Sequence, residues 1–247
     1  MTTRLSFEKS SDLACYAVLT NTYCLVTDQA SELFTGALEQ TLPSTVPVIT
    51  SGAGQTKLTG RICVGNSSGL LVPAFVSEDD VEQIRDALPA GVAVARVNDS
   101  LSALGNCIAC NDHVALIHPD MSQETESTIR SVLGVQTHRA TISGNPLVGS
   151  YCRLSNQGGM VHPTCSVAEL ERLCQITKLP LCSGTVNRGS AVVGAGLLAS
   201  DSVAFCGEAS TSNEVALIDA VFKINLERST FRAEGSQSDQ LLIDSLA

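Results

Sequence analysis

The 247-residue sequence predicts an α/β fold of five equivalent units, about 45 residues each, closed around an axis with fivefold pseudo-symmetry. Three observations carry this prediction. Polar-then-apolar segments recur in register, opening at Asn21, Asn66, Asn111, Asn156 and Asp201. A helix-like stretch and a short β-like run follow each opening. The two chain ends also complement one another. The fifth helix, near Phe222, has no β run after it, whereas Arg4-Leu-Ser-Phe7 stands where that run belongs, ahead of the first unit.

Within a unit the order is strand, strand, helix, strand. The helices are expected at residues 32–42, 78–88, 123–133, 167–179 and 213–224. The second is typical: Val81, Ile84 and Leu88 share one face, Glu78-Asp79-Asp80 fill the first turn, and Pro89 ends it. Ser77 and Ser166 are placed as N-caps. The β runs after the helices are expected at 46–49, 92–97, 135–140 and 181–186, followed by turn residues such as Gly52-Ala-Gly54 and Asn187-Arg-Gly189. A second β run, such as 58–64 or 147–154, then leads into the next opening segment. Such a unit has an apolar face it cannot bury alone, so five must stack and close. The N-terminal strand is expected to complete the last unit, giving one domain over residues 1–224. Residues 225–247 form a polar, flexible tail whose apolar end, Leu241-Leu-Ile-Asp-Ser-Leu246, could dock.

Composition narrows the function classes. The apolar fraction of 44% excludes disorder as the main state. Neither long uncharged stretch, 40–56 or 62–77, provides the run of about 18 apolar residues that a membrane span needs. No apolar leader follows Met1, which predicts an intracellular protein whose ten cysteines stay reduced as small buried residues. A formal charge of −10 argues against sequence-independent nucleic-acid binding and suits a basic protein partner.

Most chemical motifs fail a context test. Cys107 and Cys110 lie in an expected strand, where positions three apart face opposite sides, so neither a zinc nor a redox site follows. His118 and His162 are expected at strand ends. Gly194-Ala-Gly-Leu-Leu-Ala199 fits a relaxed dinucleotide pattern but runs toward a β segment, which predicts close strand packing. Gly65-Asn-Ser-Ser-Gly69 matches a nucleophile elbow, yet the chain continues as β, so Ser67 is not expected to be a nucleophile. No cofactor or metal is expected. What remains is geometric. Five residues before each opening segment stand Tyr16, Arg61, Asn106, Tyr151 and Gly196, a set that reads as one contact rim.

Several long motifs resemble the eukaryotic translation initiation factor 6 family. They are Arg61-Ile-Cys-Val-Gly-Asn-Ser-Ser-Gly-Leu-Leu-Val-Pro73, Leu101-Ser-Ala-Leu-Gly-Asn106, Cys110-Asn-Asp, Leu147-Val-Gly-Ser-Tyr-Cys152, Ser155-Asn-Gln-Gly-Gly159 and Gly184-Thr-Val-Asn-Arg-Gly-Ser190. The resemblance runs from Phe7 to Leu246. It implies a five-bladed α/β propeller of the pentein type. It also implies a monomeric, non-enzymatic ribosome anti-association factor. Such a factor binds the intersubunit face of the large ribosomal subunit, through ribosomal proteins near the sarcin–ricin loop, and blocks joining of the small subunit. It acts too in large-subunit biogenesis, in nucleolus and cytoplasm, and is removed by release factors of late subunit maturation.

The resemblance places Arg61, Asn106 and Tyr151 on the ribosome-facing side. It makes Ser236, Ser238 and Ser245, each with a nearby Asp, phosphorylation candidates. Where relatives can carry serines near the end of the fourth helix, this chain has Cys174 and Gln175. The competing expectation is enzymatic: other penteins transform guanidino groups with Cys, His and acidic residues in the central cavity.

Overall fold

The computed structural model describes residues 2–224. Five three-stranded sheets, the blades, surround an axis. Blade one holds Ala17–Leu19, Cys24–Thr27 and Val48–Ser51; blade two, Val64–Gly65, Gly69–Pro73 and Ala93–Val97. Blade three holds Ile108–Cys110, Val114–Ile117 and Gln136–Arg139; blade four, Cys152–Leu154, Gly159–Val161 and Leu181–Ser183. Blade five pairs Leu197–Ala199 and Ala204–Gly207 with Thr3–Leu5 from the chain start. In every blade the first strand runs antiparallel to the middle one and the third runs parallel to it. In blades one to four that parallel step requires a crossover, which a helix supplies; in blade five the parallel strand comes from the chain start. The innermost strands of successive blades touch one another all the way round.

The middle strands explain why the sequence reads as continuous apolar runs rather than alternating ones. Each is buried on both faces, and alternate residues enter different cores. In blade one Cys24 and Val26 pack with Phe34 and Leu38, while Tyr23 and Leu25 pack with Val81 and Ile84 of blade two. Leu71 likewise joins Ile129 and Leu133 of blade three. There are thus five cores, each between neighbouring blades, and no blade is complete alone. The fifth, between blades five and one, joins Phe205 and Leu198 to Phe7, Leu13 and Phe34.

The five long helices lie close to where the apolar period places them: Glu32–Thr41, Glu78–Ala87, Gln123–Leu133, Val167–Thr177 and Ser212–Val221. Ser31, Ser77, Ser122, Ser166 and Thr211 each accept the N–H three residues on. Thr211 forms a full capping box with Glu214. That carboxylate also accepts from Thr185 Oγ1 at 2.7 Å and from the N–H groups of Arg188 and Gly189 at 3.1 and 2.9 Å. Burial alone would raise its pKa, but the N–H of Thr211, the Thr185 hydroxyl and the two turn N–H groups outweigh it and hold the carboxyl at about 2, against an ordinary 4.5. A depressed carboxyl stabilises the fold above its unfolded pKa and loses that contribution as pH falls toward the folded value. Glu214→Gln is therefore expected to cost about 2 kcal/mol at pH 7. The difference from wild type should shrink as pH drops from about 4.5 toward 2. Urea unfolding at pH 7 and at pH 3 measures both.

Two sequence expectations need correction. The second β runs at 58–64 and 147–154 begin as one-turn helices, Thr59–Ile62 and Val148–Tyr151, before the shorter inner strands. Leu104–Cys107 and Val193–Gly196 are further such turns, and Leu13–Cys15 is a 3-10 turn at the same place in blade one. Cys107 therefore ends a helical turn rather than lying in a strand. The pair it forms with Cys110 is not bridged; all ten cysteines are free thiols, half of them buried and half partly buried. Gly194 packs closely, as expected, but in a helical turn. Among the described residues no helix is long and apolar enough to cross a membrane, and no cluster of three metal-ligating side chains occurs.

Candidate functional site

The five one-turn helices touch in a closed ring about the axis. Their contact is made by Gly60, Gly105, Gly149 and Gly194, each facing a backbone carbonyl of the preceding turn so closely that a Cβ there would clash. Ala14 supplies the carbonyl against which Gly60 packs. These five positions give the true register of the repeat: 46, 45, 44 and 45 residues rather than a constant 45. Strand pairing agrees, since Leu19↔Cys24, Gly65↔Leu70, Cys110↔Ala115, Leu154↔Gly159 and Ala199↔Ala204 are equivalent pairs.

The corrected register divides the expected rim into two layers. Arg61 and Asn106 follow their glycines directly, and their equivalents are Cys15, Ser150 and Ala195. Tyr16, Tyr151 and Gly196 stand one residue later, with Ile62 and Cys107. In the first layer Arg61 Nη1 donates to Asn106 Oδ1 at 3.1 Å and Ser150 Oγ donates to the same oxygen at 3.2 Å. Arg61 Nη2 donates to the carbonyls of Gly194 at 2.8 Å and Ala14 at 3.3 Å. One side chain thus ties four of the five turns together. Arg61 is only 9% exposed and Gly196 is buried, so neither is the surface residue that the spacing suggested. Burial lowers the Arg61 pKa, opposed by Cys15 and Asp12. Asn106, Tyr16 and Tyr151 remain partly exposed. Tyr16 stacks on Phe7 with centroids 3.8 Å apart, and Tyr151 meets His162 edge-on at 5.2 Å.

The opposite ends of the inner strands are closed by a belt of side-chain to backbone bonds. Ser67 N–H donates to Asp112, Asp112 N–H to Asn156, Asn156 N–H to Asp201, and Asp201 N–H to Asn21, at 2.8–3.1 Å. The amides of Asn21 and Asn156 each bridge the carboxylates of Asp112 and Asp201 at 2.7–3.0 Å. Burial raises the Asp112 pKa, but the bonds from Asn156, Ser67 and Asn21 bring it below the ordinary value. Asn66 and Asn111 stand one position earlier, where they accept the hairpin N–H groups and reach the next blade through their amides. The recurrent Asn therefore has a structural reason, although the five openings mix two positions.

Between belt and ring lies a central cavity of ≈ 40 Å³ open to the centre of a water molecule, lined by Cys63, Cys110, Cys152 and Arg153 among others. Burial pushes the three thiols up to about 12. No His or carboxylate lines this cavity. Ser67 sits in the hairpin after Val64–Gly65, its Oγ buried without a hydrogen-bond partner; the nearby Asp112 carboxylate accepts from the Ser67 N–H instead and is held by the belt. Arg153, Ser150 and Cys15 were missed by sequence reasoning. The 44-residue step from Gly105 to Gly149 is the signal that would have found Ser150, and the 46-residue step from Ala14 to Gly60 the one for Cys15.

The model of the eIF-6 family matches residues 2–221. The chain belongs to the eIF-6 family. Eukaryotic translation initiation factor 6-2 of Arabidopsis thaliana is 49% identical over 224 residues, covering 91% of each chain. Eukaryotic translation initiation factor 6 of Saccharomyces cerevisiae is 48% identical with the same coverage. The Drosophila melanogaster factor is 47% identical over 225 residues, 91% of this chain and 92% of its own. The eIF-6 match spans all five blades and includes Thr3–Leu5, so closure by the chain start falls within the family's shared region. Ser236, Ser238 and Ser245 lie outside both that region and the described residues.

Proposed function

We propose that the protein binds the intersubunit face of the large ribosomal subunit and sterically prevents premature joining of the small subunit, and that it also acts in large-subunit biogenesis. The observation that carries this reading is identity of 47–49% across nine-tenths of the chain to proteins named translation initiation factor 6. A formal charge of −10 suits basic ribosomal proteins near the sarcin–ricin loop, where it would aid encounter and orientation. The chain acts as a monomer, in nucleolus and cytoplasm, and release factors of late maturation remove it. Its contact surface is the ring end, with Asn106, Tyr151 and Tyr16 reaching the partner. Arg61 holds Asn106 from below, and Gly196 packs the fifth turn.

The reading is non-catalytic. A pentein-type guanidino chemistry would need a thiolate and a histidine at the central cavity. Here the thiols are protonated at neutral pH, no imidazole lines the wall, and the chain's own Arg153 is among the lining residues.

The burial of Arg61 changes the appropriate test. Replacing it, or Asn106 to which it donates, would disturb the ring itself, so the informative variant is Tyr151→Ala. Its thermal transition should stay within a few degrees of wild type, while co-sedimentation with purified large subunits falls at least about tenfold, the loss expected of a central aromatic contact. Light scattering should then show small and large subunits joining in its presence. Undiminished co-sedimentation would sink the assignment of the ring end.

A further inference from the structure

The central cavity holds a charge arrangement that the ribosomal reading does not use. Arg153 stands on the inner strand Cys152–Leu154, at the place occupied in the other blades by Val18, Val64, Ala109 and Leu198. Four apolar residues and one arginine at a repeated position mark a departure that packing alone does not require. Arg153 Nη2 donates to Gly194 O at 3.0 Å, the carbonyl that Arg61 Nη2 also uses at 2.8 Å. A buried guanidinium, that of Arg61, and a partly buried one whose Nε is fully covered, that of Arg153, thus meet at one oxygen. Neither belongs to an ion pair among the described residues, whose pairs all lie elsewhere. The Nε atoms of both are buried without a protein acceptor. Burial and the neighbouring Arg61 charge depress the Arg153 pKa to about 10, which leaves it charged at pH 7.

A buried cation left without a counter-charge is strongly unfavourable. Two such cations sharing a carbonyl compound that cost. Their surroundings also supply weak thiol donors, since Cys63 and Cys152 line the same cavity and stay protonated, while the Cys110 thiol donates to Gly65 O at 3.4 Å. The cavity's ≈ 40 Å³ corresponds to about three water-sized bodies. That favours a monatomic anion with a water or two over a hydrated tetrahedral oxyanion. The belt carboxylates Asp112 and Asp201 already accept from Asn21 and Asn156, so their charge is engaged at the far end of the inner strands.

We propose that the axial cavity is a halide site, in which one chloride ion sits against the Arg153 guanidinium and within the field of Arg61. The ion offsets one of the two positive charges and fastens blade four to the ring turns of blades five and two, so halide binding is coupled to closure of the ring. The proposal is independent of ribosome binding, and its failure would leave that reading intact.

The test uses the full chain. Its thermal midpoint is measured in sodium chloride and in sodium gluconate at equal ionic strength, across a concentration series. Chloride should raise the midpoint saturably, by about 3 °C at ten times its dissociation constant, and bromide should do the same. Arg153→Met, which keeps most of the side-chain volume, should abolish the difference. Crystals of the wild-type protein in sodium bromide provide the second arm, independent of whether that variant folds. An anomalous peak within hydrogen-bond distance of Arg153 Nε supports the site. Water alone at that place, or equal midpoints in chloride and gluconate, overturns it; bromide found only on the outer surface is an adventitious ion and overturns it as well.

Discussion

Replacing Gly149 with alanine is expected to destabilise the protein by about 3 kcal/mol or more, although alanine is the better helix former. Gly149 lies in the one-turn helix Val148–Tyr151, facing the carbonyl oxygens of Gly105 and Ile108. A Cβ would fall far inside van der Waals contact with both, and both are backbone atoms that cannot swing aside. Relief would require the turns of blades three and four to separate, and separation at one joint opens a ring that Arg61 spans elsewhere. The control is Gly36→Ala in the helix Glu32–Thr41, where nothing lies within 4 Å of the added carbon. That change should stabilise by up to about 1 kcal/mol. Thermal midpoints of the two variants should move in opposite directions, Gly149→Ala downward by about 6–12 °C. A Gly149→Ala midpoint equal to or above wild type would remove close approach as the reason for glycine in the ring.

The same glycines show which parts of the molecule were legible in the sequence. The long helices were, because ten or eleven residues with an apolar period and a capping serine carry their own signal, as Ser77 and Val81, Ile84 and Leu88 illustrate. The one-turn helices were not. Four residues such as Val193-Gly-Ala-Gly196 have no period to read and include the residues least suited to a helix, so only contact with neighbouring turns selects that conformation. The site suffered from the same limitation. Asn66 and Asn111 look like counterparts of Asn21 and Asn156, yet they occupy the hairpin position one step earlier, where Thr20, Ser155 and Ser200 do the equivalent bonding. A constant 45-residue spacing therefore brought Arg61 and Tyr151 into one layer that the structure divides into two. Hydropathy cannot distinguish a covered arginine bonded to carbonyls from an exposed one, so neither the burial of Arg61 nor the axial place of Arg153 is legible in the sequence.

Removing residues 1–7 is expected to abolish cooperative folding, because this segment supplies the fifth blade's third strand. Thr3–Leu5 pairs with Phe205, Cys206 and Gly207 in parallel, and the wholly buried middle strand would otherwise present an open edge. Thr2 donates its N–H and its hydroxyl to Asp219 at 2.7 Å, and Arg4 Nε donates to Ser210 O at 2.8 Å, so the strand is tied to both ends of the last helix's neighbourhood. Phe7 then fills the core between blades five and one, stacked on Tyr16 and edge-on to Phe34. Losing the buried phenylalanine and these hydrogen bonds together should cost more than about 5 kcal/mol, comparable with the whole stability of an ordinary domain. Because each core lies between two blades, the damage cannot stay local: an unsupported blade five exposes one face of blade one and one face of blade four. The truncated chain should show no sharp thermal transition, and should aggregate through the exposed edge of Ala204–Gly207. A synthetic peptide of residues 1–11 added in excess should restore part of the transition, at concentrations set by the loss of the covalent link. A truncated protein that melts cooperatively within a few degrees of wild type would mean that four complete blades hold the ring without its latch.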